Sequence, residues 1–353
     1  VRIGSRPSWH GIAGFSNILF LISFLGAGNL QAFSGPYWHP ANQRGFILDW
    51  DGVLAETKLD FTPIYDRFFG GKRVMILEEA VRLPATERDA LYEAIEKIEV
   101  EGAEKAKPVL GALELISWLE KNDIPWAVVS RNTKNCVAMA AKRASIKLPP
   151  IVITRDDGLL KPDPQVFLKA SELLEIPWYQ CVVIGDFLYD IVGARRACMR
   201  AVLVRRANEE WSNWADVAYN EVIDLFYALG DPQPLIPWEY QPVVRKRGYK
   251  WLERSFGLTV KLVGDDAFEI LAKLAAMGVG SFYIEDKVRL DADGWRNSPY
   301  IDPKYLWEPL NKVVSDFLIR RFPLARVVSD GEALDLPDGV SESISFIEEL
   351  LSR

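Results

Sequence analysis

A chain of 353 residues is long enough for about two domains, and 49% hydrophobic with 26% charged residues excludes disorder as its main state. The formal net charge of −7 argues against sequence-independent nucleic-acid binding, which needs a basic face, and Arg245-Lys246-Arg247 is too short a run to reverse that. The only two histidines, His10 and His39, precede the first segment that reads as a folded domain. A Ser-His-Asp triad, a His-paired cysteine nucleophile and a His-rich zinc site are thereby excluded from the body of the protein. Cys136, Cys181 and Cys198 are odd in number, far apart and set among apolar residues, so they read as buried thiols rather than a disulfide framework.

Residues 1–43 read as an N-terminal apolar extension. Arg2 and Arg6 precede the apolar run Ile18 to Leu25, and Gly26 to Ala32 is small and polar, a pattern that imitates a secretory signal peptide. A membrane span needs about 20 apolar residues, which this run reaches only by including Ser16, Asn17, Ser23, Asn29 and Gln31. Signal peptide, anchor, organellar targeting segment and unstructured extension all stay open; the body is expected in the cytoplasm, with membrane contact only through this segment. Gly26-Ala27-Gly28, with Asp49 about twenty residues on, imitates half of a dinucleotide fingerprint. Gln31 stands where the third glycine belongs, and Pro36 and Pro40 break the helix it needs.

From residue 45, short β-rich runs alternate with helical patterns, which predicts an α/β fold with a parallel sheet. The expected strands are Phe46 to Asp49, Trp126 to Ser130, Ile151 to Thr154, Cys181 to Gly185 and Ala201 to Val204. The first two are separated by roughly 75 residues, far more than one crossover helix requires, so a helical insertion is expected at 56–106. Core segments 44–55 and 107–205 flank it. Residues 206–235 read as a polar connector with a helix near Glu221 to Leu229, closed by Pro232, Pro234 and Pro237. Residues 236–353 form a further α/β region with helical periods at Phe268 to Met277 and Leu306 to Arg320 and a strand-like Gly280 to Ile284. Trp238, Trp251, Trp295 and Trp307 there read as core or interface residues, and no catalytic motif is evident.

Polar residues gather at the strand ends, where open parallel sheets bind ligands. Asp49-Trp50-Asp51-Gly52 ends an apolar strand with two acids and a turn-forming glycine. Val128-Val129-Ser130 ends in a hydroxyl, Lys161 lies in Leu160-Lys161-Pro162-Asp163-Pro164 before a helix, and Gly185-Asp186-Phe187-Leu188-Tyr189-Asp190 is a second acidic turn. Asp156 and Asp157 read as turn formers.

Over about residues 44 to 205 these four motifs, in this order, resemble the haloacid dehalogenase superfamily, and within it the phosphoglycolate phosphatase-like group with a helical cap. The resemblance implies a Rossmann-like core and a phosphoric monoester hydrolase that uses Mg2+ and an aspartyl-phosphate. It implies Asp49 as nucleophile and metal ligand, and Asp51 as acid and base with its backbone carbonyl on the metal. Asp186 would be a metal ligand supported by Asp190. Ser130, the backbone amides of Arg131 and Asn132, and Lys161 would hold the phosphoryl group. The second acid, Asp51, favours phosphoryl chemistry over carbon-halogen cleavage. In the cap, Phe61, Tyr65, Arg67, Lys72 and Arg73 are the candidates for reading the leaving group. The expected partner is a small phosphorylated metabolite, with no nucleic acid and a homodimer open. A non-catalytic subunit on the same fold, and a phosphomutase or phosphonatase, are the alternatives.

Overall fold

The computed structural model describes residues 33–353 except 265, 286, 299 and 300. The apolar run Ile18 to Leu25, the decoy glycines, His10 and every expectation for residues 1–32 lie outside the described residues. Six short apolar runs become parallel strands: Gly45–Leu48 (β1), Trp126–Val129 (β2), Ile151–Ile153 (β3), Cys181–Gly185 (β4), Arg200–Val204 (β5) and Val217–Tyr219 (β6). They pair in the order β3-β2-β1-β4-β5-β6. A sheet covered on both faces needs near-continuous apolar strands, and that is why these runs barely alternate with polar residues. Phe46, Leu48, Val128, Val182 and Ile184 face one helical layer, and Ile47, Ala127, Val129 and Val183 face the other. Helices Ala112–Lys121, Lys134–Ala144 and Val222–Gly230 cover the first face, while Pro164–Leu173 and Leu188–Arg196 cover the second.

The chain leaves β1 for one side of the sheet and later returns to its other side with β4. This reversal of strand order opens a crevice at the carboxyl ends of β1 and β4. Leu48 pairs with both Val128 and Ile184, so the residues after β1, β2 and β4 emerge at nearly the same level.

Two boundaries differ from the sequence expectation. Residues 206–235 are not merely a connector, because β6 extends the sheet and Val222, Leu225 and Leu229 enter its core. A three-residue strand carries too little pattern to be recognised alone. Nor does the N-terminal extension run to residue 43: Trp38 and Ala41 are buried in the same core, and Trp38 exchanges two 3.0 Å backbone hydrogen bonds with Leu235.

After β1 the chain passes through an antiparallel ribbon, Ala55–Glu56 with Lys107–Pro108, which carries the helices Thr62–Phe69, Ile76–Ala80 and Ala85–Glu104. Ile64, Ala80, Leu91 and Ile95 give them a small core of their own. The last region has a separate core and a second parallel sheet of Thr259–Lys261 (β7), Ser281–Tyr283 (β8) and Arg326–Val328 (β9), in the order β9-β8-β7. Buried Arg200 ties it to the first sheet through Asp216 at 3.0 Å and Glu239 at 2.7 Å. Trp251 is buried and Trp295 half-buried in that region, whereas Trp238 and Trp307 are exposed. Arg245 to Arg247 form the last turn of the helix Gln241–Arg247, where cations suit the helix dipole. Cys136 and Cys181 are free and buried, and Cys198 is half-buried. Among the described residues no helix is long and apolar enough to cross a membrane.

His39 is buried, and its Nδ1 accepts the Ala41 N–H at 3.1 Å, capping a short 3-10 turn. Burial lowers its pKa from 6.5 to about 4. The unfolded chain therefore binds the extra proton first as pH falls. Stability from this group is complete above pH 6.5 and is lost on the way to pH 4, a change of about 3 kcal/mol. His39→Asn keeps a capping acceptor, so urea denaturation at pH 4.5 and 7 is expected to show a smaller acid-side loss in the variant than in the wild type.

Candidate active site

The acidic turns close over the crevice because two glycines leave room for them. Gly52 has φ +75°, and a Cβ there would lie 2.3 Å from Asp186 Oδ2. At Gly185 a Cβ would lie 2.2 Å from the Asp190 Cβ. Carboxylate oxygens of Asp49, Asp186 and Asp190 consequently come within 4.8 Å of one another. Buried Lys161 sits among them, with Nζ 2.5 Å from Asp49 Oδ1 and 2.7 Å from Asp190 Oδ1.

Asp49 Oδ1 also accepts the Trp50 N–H at 2.6 Å, and the Asp49 N–H is fixed on Ile184 O at 2.9 Å. Asp190 is buried; its Oδ1 takes Lys161 and its Oδ2 accepts the Phe187 N–H at 3.3 Å. It acts as a support for lysine and turn. Burial works to lower the Lys161 pKa, but Asp190 and Asp49 more than reverse it, so the ammonium persists. Burial and then Asp49 raise both Asp186, to about 6, and Asp190. Arg206 approaches Asp186 at 3.6 Å and opposes the shift there. The cluster has more carboxylates than cations. That excess, and the all-oxygen donor set, fit a hard divalent cation held by Asp49 and Asp186.

Asp51 points differently. Its Oδ1 accepts the Thr57 hydroxyl and its Oδ2 accepts Asn132 Nδ2 at 2.9 Å, so its carboxylate stands apart from the three-acid cluster. The metal contact expected of Asp51 runs through its backbone carbonyl, and this placement of the side chain leaves that expectation as it was. Burial, then the charge of Asp49, push its pKa up to about 7, which suits a group that both gives and takes protons near neutrality.

These side chains line a cleft of about 910 Å³ between sheet and cap. Of the cap candidates, Phe61, Tyr65 and Arg73 line it. Arg67 and Lys72 do not; Arg67 instead borders a separate depression with Thr86 and Glu87, because its helix turns that face outward. Ser130 is buried outside the lining, and its Oγ accepts the N–H of Asn132, which does line the cleft, at 3.1 Å. Asp157 accepts the Thr154 N–H and Asp156 the Lys134 N–H, both at 2.8 Å, as turn-forming acids should. Sequence reasoning missed Thr57, Glu99, Arg155, Arg205 and Arg206, all in the lining. Arg205 and Arg206 follow β5, and a basic pair directly after an apolar strand was the one available signal.

The family model for haloacid dehalogenase-like hydrolases matches residues 43–197. Hexitol phosphatase A of Escherichia coli is 27% identical over 164 residues, covering 40% of this chain and 74% of its own length. A phosphoglycolate phosphatase of Xanthomonas campestris is 26% identical over 196 residues, covering 53% of this chain and 87% of its own. The crystal structure of a hydrolase from Pseudomonas syringae superposes with a TM-score of 0.45 at 22% identity, covering 54% of this chain and 99% of that one. The matched segment spans all four strand-end motifs, and residues 43–197 are similar to the haloacid dehalogenase-like hydrolases.

Proposed function

We propose that this chain is a magnesium-dependent phosphatase that hydrolyses a small phosphorylated metabolite through an aspartyl-phosphate. The observation that carries the reading is the pairing of two unlike acids: Asp49 held against the Lys161 ammonium, and Asp51 held near neutral pKa by burial between Thr57 and Asn132. With Oδ1 of Asp49 engaged by Lys161 and Trp50, its Oδ2 is the oxygen left to attack phosphorus. The bond from phosphorus to the ester oxygen breaks as Asp51 gives its proton to the departing alkoxide. A water then attacks the phosphorus of the aspartyl-phosphate, Asp51 takes the water's proton, and the bond to Asp49 breaks to release phosphate. Lys161 offsets negative charge throughout. Magnesium, held by Asp49 and Asp186 with the Asp51 carbonyl, would supply further charge neutralisation on the phosphoryl oxygens. The relatives named for hexitol and glycolate phosphates support small polar esters as substrates.

The test is phosphate release from a panel of phosphorylated sugars, sugar alcohols and hydroxy acids, with and without magnesium. A kcat/KM of about 10⁴ M⁻¹s⁻¹ or more on the preferred ester is expected, falling to background in EDTA. Magnesium is also expected to raise the melting temperature more at pH 7.5 than at pH 5, since Asp186 titrates near 6 and must lose its proton to bind. No magnesium-dependent release from any ester would defeat the reading.

A further inference from the structure

We infer that Arg131 is a positioning residue that couples seating of the cap to alignment of Lys161, an inference that rests on the phosphatase reading. Arg131 directly follows Ser130 at the end of β2. Its guanidinium pairs in two-pronged fashion with Glu78 on the cap helix Ile76–Ala80, at 2.8 Å and 2.9 Å. The same Nη1 donates to the carbonyl oxygen of Lys161. Its carbon centre lies 4.7 Å from the centroid of the Tyr189 ring, within the Asp186 to Asp190 turn. One rigid cation thus touches the hydroxyl strand, the lysine loop, the second acidic turn and the cap. Only a planar fork can do this; a lysine could not bond a carboxylate at two points, reach a carbonyl and lie over a ring together.

The cap has a second ion pair to the core, between Arg155 and Glu99, and the two differ in exposure. Glu99 is 2% exposed and Arg155 13%, which makes that pair a fixed seam beside the ribbon. Glu78 is 34% exposed and Arg131 19%, so the Glu78 pair is the one water can reach and part. When the cap lifts there, Arg131 loses its carboxylate and the Lys161 loop loses a braced neighbour. When the cap closes on substrate, the fork is completed and the loop is held.

The experiment compares the full-length chain with Glu78→Gln and Arg131→Lys, with magnesium, on p-nitrophenyl phosphate and on the preferred ester of the panel. Glu78→Gln is expected to raise KM about 3- to 5-fold with kcat within about twofold, and 0.5 M NaCl to raise KM in the wild type but not in this variant. Arg131→Lys is expected to lower kcat roughly 10-fold or more in addition. Hydrogen exchange at the amides of 76–80 is expected to speed up in Glu78→Gln and to slow in the wild type on addition of orthovanadate. A merely structural arginine would lower the melting temperature and leave KM and kcat per folded molecule alone. Wild-type KM and wild-type exchange in Glu78→Gln, or wild-type kcat in Arg131→Lys, overturn the coupling. A wild type that hydrolyses no ester removes the phosphatase reading instead, and the exchange measurement, which needs no turnover, still decides whether Glu78 holds the cap.

Discussion

Asp49→Asn is expected to lower kcat by at least about 10⁴-fold while leaving the protein folded. The amide keeps the size and shape of the carboxylate and can still accept a hydrogen bond from Lys161, but it has no anionic oxygen with which to attack phosphorus. Stability is expected to hold or rise slightly, since one of the mutually repelling acids beside Asp186 and Asp190 becomes neutral. The fall in rate then cannot be assigned to unfolding. Two measurements check it: steady-state phosphate release, and mass spectrometry of acid-quenched enzyme, which should find phosphate on the peptide containing residue 49 in the wild type and none in the variant. Retention of more than about 1% of wild-type turnover, with the melting temperature unchanged, would remove Asp49 as nucleophile.

Lys161→Met carries the second large effect, and here stability falls with activity. Methionine approximates the length of the side chain but withdraws the ammonium that touches both Asp49 and Asp190. Removing one partner of a buried ion pair typically costs about 3 to 5 kcal/mol, because the other charge stays desolvated. Activity is expected to drop by a factor of ~10² to 10³ from the lost electrostatic support alone. The deficit has a pH signature. Without the lysine, the acids whose folded pKa values already lie above the unfolded value, Asp186 and Asp190, are pushed higher still. Between the unfolded value near 4 and those raised values the folded state binds more protons than the unfolded one, so the variant loses stability as pH rises through that window. Urea denaturation should therefore find the gap to the wild type wide at pH 8 and narrow at pH 5. Equal stability at pH 8 would show that Lys161 balances nothing in the cluster.

The residues these variants touch were visible as sequence because each lies at the end of an apolar run. A strand between two helical layers must be apolar along its length, so an acid, a hydroxyl or an acidic turn that interrupts the run marks the sheet's edge. That local rule located Asp49, Asp51, Ser130, Asp186 and Asp190, and the order of their motifs carried the family. It also exposed the cap, since a parallel crossover does not need so many residues.

What no local pattern holds is which side chains meet. Asp51 is set near neutrality by its burial and the charge of Asp49, while Thr57 and Asn132 fix its two oxygens, and Arg131 finds Glu78 across 53 positions of chain. Ser130 turned onto the backbone, and Arg67 and Lys72 turned away from the cleft, through packing that composition does not encode. The three-residue strands β6, β7 and β9 were hidden for a related reason, being too short to show a period, whereas β8 lies inside the strand-like run Gly280 to Ile284. The sequence by itself determined the kind of chemistry, because charge and strand ends are written residue by residue. The tertiary structure alone decided the protonation of Asp51, the grip on Lys161 and the walls of the cleft, since burial and pairing exist only once distant segments are packed together.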